Sequence, residues 1–163
     1  MTSEHISIDI ANEYLHFSAA HFTVFSATER ENLHGHNFQV EATLRGRIGD
    51  DGLCFDYNIV KRRLKTLCDA LDEVVLLPGR CPHLDIRAAG DYTVAEFNDE
   101  RLPFLHRDVK VLPVRNITVE ELARWLIGEL TSNDEIAALP VCDIELRVAS
   151  GAGQWARAAW ASP

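Results

Sequence analysis

Leu33-His34-Gly35-His36-Asn37-Phe38, running on into Gln39-Val40-Glu41-Ala42-Thr43-Leu44, sets two histidines one glycine apart at the head of an alternating apolar and polar run. An extended strand sends every second side chain to the same face. A strand that begins at His34 therefore places His34 and His36 in one row with Phe38, Val40, Ala42 and Leu44. Two imidazoles side by side on a rigid element can be two ligands of one metal ion. A catalytic zinc takes three ligands from the protein and keeps a fourth position open. The pattern thus asks where a third ligand comes from.

Upstream, Ile6-Ser7-Ile8-Asp9-Ile10 alternates as a strand, and the phase shifts near Asn12-Glu13. Beyond the shift Leu15, Phe17, Ala19 and His21 share a face, as a bulge near Asn12 would produce. The polar run Ser26-Ala27-Thr28-Glu29-Arg30-Glu31-Asn32 reads as an exposed loop. Strand, loop and strand make an antiparallel pair, which carries His21 toward His34 and His36. A lone strand histidine is ordinarily a hydrogen-bonded structural residue. Three that converge point to a metal, and an all-imidazole set favours Zn2+ acting as a Lewis acid.

The 163 residues carry 16 Lys and Arg against 25 Asp and Glu, a formal charge of −9. That length fits a single domain over 1–163. The charge argues against a nucleic-acid partner, whose phosphates demand Lys and Arg, but leaves room for a small phosphorylated ligand. No apolar run reaches membrane-spanning length. Met1-Thr2-Ser3-Glu4-His5 lacks the basic-then-apolar order of a secretory leader. Cys54, Cys68, Cys81 and Cys142 form no C-x-x-C pair and read as free thiols. The expectation is a cytoplasmic protein.

Downstream, Gly46, Gly49, Asp50, Asp51 and Gly52 make a turn cluster. Asp56 is placed to cap a helix whose Val60, Leu64, Leu67, Cys68 and Leu71 share a face, ending near Asp72-Glu73. Residues 78–113 are irregular. Leu84–Arg87 and Tyr92–Phe97 around Ala88-Ala89-Gly90-Asp91 read as an inserted hairpin, and Val109–Leu112 as a further short extended piece. Thr118 with Glu121 three residues on fits a capping box that starts a second helix. Ile144, Leu146 and Val148 mark a strand, and Gly151-Ala152-Gly153 turns into a last one over Gln154–Trp160. The fold expected is α+β: an antiparallel four-stranded sheet with two helices on one face and an inserted hairpin. Its open edges favour a homo-oligomer.

Five blocks together resemble the 6-pyruvoyltetrahydropterin synthase / 6-carboxytetrahydropterin synthase family. They are Phe17-Ser18-Ala19-Ala20-His21, Leu33–Phe38, Gly52-Leu53-Cys54-Phe55-Asp56-Tyr57, Leu71-Asp72 and Thr118-Val119-Glu120. The resemblance implies the tunnelling fold, in which such domains form rings that pair face to face, a hexamer being one such assembly, with sites between subunits. It implies zinc on His21, His34 and His36 and a pterin substrate, with elimination or carbon–carbon cleavage on the side chain of a dihydroneopterin phosphate.

The chain also departs from the family's pattern. The segment before the HGH block holds no Cys but does hold Glu31, as in a branch that cleaves the pterin side chain differently. Where the family has Asp-His, Asp72-Glu73 stands, and Ala149-Ser150 occupies the place of a pterin-anchoring Glu. The resemblance makes Glu31 the candidate general base, for which a raised pKa would serve best near neutrality. Asp72 and Glu73 are candidates for a proton relay, although an acidic pair at a helix C-terminus opposes the helix dipole. Thr118 and Glu120 are candidates for touching the pterin ring. Two alternatives stay open: a paralogue that binds zinc and pterin without catalysis, and a zinc enzyme for another heterocycle.

Overall fold

A computed structural model describes residues 5–162. Two strands, β1 (His5–Ile10) and β2 (His16–His21), run antiparallel along the long strand β3 (His34–Arg47). β1 pairs with the second half of β3, from Ile10↔Ala42 to His5↔Arg47, and β2 with the first half, from His21↔His34 to His16↔Gln39. The break at 11–15 is the phase shift expected near Asn12. β9 (Val141–Gly151) adds to the other side of β3, and β10 (Gln154–Ala161) to β9, both antiparallel.

On the far side of β2 the sheet changes character. β4 (Val74–Pro78) pairs with β2 in parallel, and β8 (Val109–Leu112) pairs with β4 in parallel. The sheet among the described residues thus has seven strands, in the order β10-β9-β3-β2-β4-β8 with β1 on β3. The expected four antiparallel strands make up one side of it, from β10 to β2, not its whole. Val74-Val75-Leu76-Leu77-Pro78 escaped notice because a strand covered on both faces carries no alternation.

The inserted segment also exceeds a hairpin. β5 (Asp85–Ala89), β6 (Tyr92–Phe97) and β7 (Glu100–Leu105) form a separate three-stranded antiparallel sheet. Pro103 sits in β7, where an edge strand tolerates a missing N–H.

Helix α1 (Tyr57–Asp69) starts at Asp56, whose carboxylate accepts from the Asn58 N–H at 2.9 Å. It ends at Asp69, earlier than expected, and a turn carries the chain through Leu71 to Glu73. Helix α2 (Val119–Thr131) starts at Thr118, whose hydroxyl accepts from the Glu121 N–H. The capping box is half built, because the Glu121 carboxylate turns to Arg115 instead. A single turn of helix, α3 (Asp134–Ala137), follows.

α1 and α2 cover one face of the sheet. Phe17 and Ala19 of β2, Phe38, Val40, Ala42 and Leu44 of β3, and Ile144, Leu146 and Val148 of β9 pack there against Val60, Leu64, Leu67, Leu122, Leu126 and Leu130. Each such large side chain contributes about 1.5–3 kcal/mol when taken out of water. A second apolar cluster of Phe22, Val24, Leu77, Leu84, Ala95 and Phe97 fixes the three-stranded sheet to the main one. The four cysteines are free, and burial pushes the Cys68 thiol up to about 12, which leaves it inert. No helix among the described residues is long and apolar enough to cross a membrane.

Candidate functional site

The row of side chains facing the helices continues past Phe17, Ala19 and Phe38 into His21, His36 and His34, where the apolar core runs out. Register makes the cluster: His21 lies opposite His34, and Ala19 opposite His36. The ring centroids of His21 lie 4.6 Å from those of His34 and 5.2 Å from those of His36. One ligand nitrogen from each ring falls within 4.8 Å of the others.

The donor set fits a divalent ion. Both nitrogens of the buried His21 ring lack a hydrogen-bond partner, and a buried polar atom without one is costly. His34 Nδ1 lies 2.8 Å from the Asn32 carbonyl, which holds its proton there and leaves the Nε2 lone pair facing inward. That lone pair meets His36 Nε2 at 3.0 Å. Two nitrogens on one tetrahedral zinc lie about 3.3 Å apart, given zinc–nitrogen bonds of about 2.0–2.1 Å. Burial, then the neighbouring His34 and His36, pushes the pKa of His21 down to about 4. Near neutrality it is an uncharged imidazole, the form that ligates.

Glu31 reaches the same cavity from the loop between β2 and β3. Its Oε2 accepts from the Thr23 N–H at 2.9 Å and stands 4.0 Å from His34 Nε2. Burial works against its charge, but hydrogen bonding from Thr23 outweighs that, helped by the imidazoles of His34 and His21. The carboxyl is therefore held below the usual range, opposite to the direction best suited to a base near neutrality. It is ionised and able to accept a proton, though weakly basic.

The cavity measures about 320 Å³ and is lined by His21, Thr23, Glu31, His34, His36, Phe38, Ile117, Thr118, Val119, Ser150 and Gln154. Of the expected residues it brings together the three histidines, Glu31 and Thr118. Asp72, Glu73 and Glu120 do not line it. The Asp72 carboxylate accepts from the Ser18 N–H at 2.7 Å, and the Glu73 N–H donates to the Ser18 carbonyl at 2.7 Å. Glu73 thus stands beside β2 and lines a second cavity with Ser18, Ala20, Gly35 and Asn37, which Ala19 and His36 also border. Glu120 is exposed on the first turn of α2.

The sequence reading missed Thr23 and Gln154, polar residues that carry no spacing signal, while Ser150, marked there only as standing in place of a pterin-anchoring Glu, does line the cavity. It also missed Asn116, whose side chain accepts from the Val24 N–H at 3.1 Å and donates to the Val24 carbonyl at 2.8 Å. That amide pins the end of β2 to the start of α2, and so His21 to Thr118.

A family model described as 6-pyruvoyl tetrahydropterin synthase matches residues 10–158. A Methanocaldococcus jannaschii protein provisionally named as a 6-carboxy-5,6,7,8-tetrahydropterin synthase is 32% identical over 148 residues, covering 87% of this chain and 88% of its own. The Plasmodium vivax 6-pyruvoyltetrahydropterin synthase superposes with a TM-score of 0.91 at 26% identity, over 98% of this chain and 99% of that one. It was solved as a variant in which a catalytic glutamate is replaced by alanine. The Plasmodium falciparum enzyme of the same name gives 0.91 at 25% identity, covering 99% and 100%.

Proposed function

The chain belongs to the 6-pyruvoyl tetrahydropterin synthase family, and from that premise we propose that it is a zinc-dependent enzyme acting on the side chain of a dihydroneopterin triphosphate or a related dihydropterin. The observation that carries this reading is the convergence of His21, His34 and His36 beside an ionised Glu31. His21, His34 and His36 hold the ion. When bound, zinc supplies Lewis acidity toward the oxygens of the substrate side chain.

Glu31 takes the proton. In elimination the proton leaves a side-chain carbon for Glu31, the carbon–oxygen bond to phosphate breaks, and the phosphate departs with the electron pair. In carbon–carbon cleavage the proton comes from a side-chain hydroxyl as it becomes a carbonyl, and the pair of the broken bond enters the conjugated C=N of the ring. The glutamate named as catalytic in the P. vivax enzyme supports a carboxylate in this role. Phe38, Ile117 and Val119 give the cavity apolar walls, while Thr118, Ser150 and Gln154 offer neutral polar contacts to a heterocycle.

Glu120 would reach the ring only by turning from solvent at the rim. Asp72 and Glu73 lie outside the histidine cavity of their own subunit. A part in proton transfer would place them in a neighbouring subunit's site within a ring-shaped homo-oligomer. The low proton affinity of Glu31 favours one second reading, zinc and pterin binding without turnover.

The test is incubation of zinc-loaded protein with dihydroneopterin triphosphate, with products separated by chromatography. Turnover that disappears in Glu31→Gln supports the enzyme. Tight binding with no product supports the second reading, and neither binding nor turnover refutes both.

A further inference from the structure

Glu31 sits in a run of charges, Glu29-Arg30-Glu31, yet the middle residue is not solvated: the Arg30 side chain is only 14% exposed. Its guanidinium lies over the rings of Phe22, at 5.0 Å from the centroid, and Phe97, at 5.8 Å. A cation so placed gains from the ring faces but still needs anionic or carbonyl partners, because burying a charge unpaired is costly. It has two. Nε donates to Glu100 Oε2 at 2.7 Å, with a second contact from the same guanidinium to that oxygen. Nη1 donates to the backbone carbonyl of Glu31 at 2.8 Å.

Phe97 ends β6 and Glu100 begins β7, so the grip on Arg30 comes from the β6–β7 hairpin of the inserted sheet. The other bonds of Glu31 complete the hold. Its N–H donates to the Thr23 carbonyl at 2.9 Å, and its carboxylate accepts from the Thr23 N–H at 2.9 Å. The residue is thereby fixed at amide, carbonyl and carboxylate. The carbonyl is held by the Arg30 side chain, and that side chain is anchored in the inserted sheet.

We propose that Arg30 is a positioning residue through which the inserted three-stranded sheet sets the Glu31 carboxylate against the three imidazoles. The proposal rests on the reading of Glu31 as the base. It gives the insertion a task in the chemistry: without the Glu100–Arg30 link, the Glu31 carbonyl loses its anchored partner and only the two bonds to Thr23 hold the residue, so the carboxylate is set less tightly. A misplacement of about 1 Å at a reacting group can cost on the order of a hundredfold in rate.

The experiment compares zinc-loaded wild type, Arg30→Met and Glu100→Gln in amide hydrogen exchange and in kinetics with dihydroneopterin triphosphate. Methionine keeps an apolar stem between Phe22 and Phe97 while removing the donors. Glu100→Gln keeps the arginine and weakens its anchor, so it decides the matter if Arg30→Met does not fold. The expected result is exchange at the Thr23 amide faster by at least about tenfold, with the Leu44 and Leu146 amides of the main sheet unchanged. Zinc content should be retained, and kcat should fall about ten- to a hundredfold with KM within about twofold. Arg30→Lys should restore little, since an ammonium cannot hold carboxylate and carbonyl in one planar fork.

Thr23 protection and kcat both at wild-type values in the folded variants would overturn the proposal while leaving Glu31 as the base. Full turnover by Glu31→Gln would overturn the reading of Glu31 and the proposal with it.

Discussion

His21 and His34 face each other across the β2–β3 ladder, ring centroids 4.6 Å apart, and His21 is 6% exposed with neither ring nitrogen hydrogen-bonded. If the three imidazoles hold zinc as proposed, removing this ring takes away one ligand. His21→Ala should therefore lower zinc affinity by more than about a hundredfold, since losing even an outer-shell partner costs 10–100-fold. A competition titration against a chromophoric chelator measures it. Wild-type affinity in His21→Ala would exclude His21 as a ligand.

Glu121, 9% exposed, is the buried acid of α2. Its carboxylate accepts from the Arg115 N–H at 3.0 Å, the Arg115 guanidinium at 2.8 Å and the Arg124 guanidinium at 3.0 Å. Burial opposes its charge, but Arg115 and then Arg124 outweigh that and hold the carboxyl at about 2. A carboxyl depressed in the folded state binds its proton more readily when unfolded. Its contribution is complete above the ordinary value of 4.5 and lost as pH falls from there through about 2. With both arginines open to solvent, the loss is about 2 kcal/mol. Urea denaturation should show Glu121→Gln less stable than wild type at pH 7, with the gap closing at the acid end of that window. A gap independent of pH would refute the assignment.

Asn116 ties Val24 to the entry of α2 by accepting from its N–H and donating to its carbonyl, and it also accepts from the Ile117 N–H at 3.1 Å. Asn116→Ala leaves these partly buried groups without partners and should cost about 2–3 kcal/mol. Faster amide exchange at Val24 and Ile117, with a matching shift in the urea midpoint, is the signature. An unchanged midpoint would mean that water substitutes freely for the side chain.

Gly46 lies where the β3–β9 register shifts. A Cβ there would stand 2.6 Å from Cys54 Sγ and 2.9 Å from the Pro140 carbonyl oxygen. Gly46→Ala should destabilise by about 1–3 kcal/mol. Pairing it with Cys54→Ala should recover only part of that, because the Pro140 backbone remains in the way. Complete recovery in thermal melts would show that the thiol alone sets the limit.

What the sequence revealed and what it hid follow from how far each signal travels. His34 and His36 share a face by strand periodicity alone, and the caps Asp56 and Thr118 are local chemistry. Val74–Pro78 was hidden because a strand covered on both sides has no period. Glu100–Leu105 was hidden because Pro103 and three charge-flanked positions resemble a loop. Arg30 shows the limit most sharply: between two glutamates it looks solvated, yet Phe97 and Glu100, some seventy residues on, join Phe22 in making it an interior cation. Asp72 and Glu73 were assigned by resemblance, and their place beside β2 depends on the parallel pairing of β4, which local pattern does not disclose.

All three imidazoles and Glu31 come from one excursion of the chain between positions 21 and 36, while Ser150 and Gln154 approach the cavity from the β9–β10 hairpin. The two rims thus come from separate segments, and substitutions in the β9–β10 hairpin can reshape the mouth of the cavity without moving the three imidazoles.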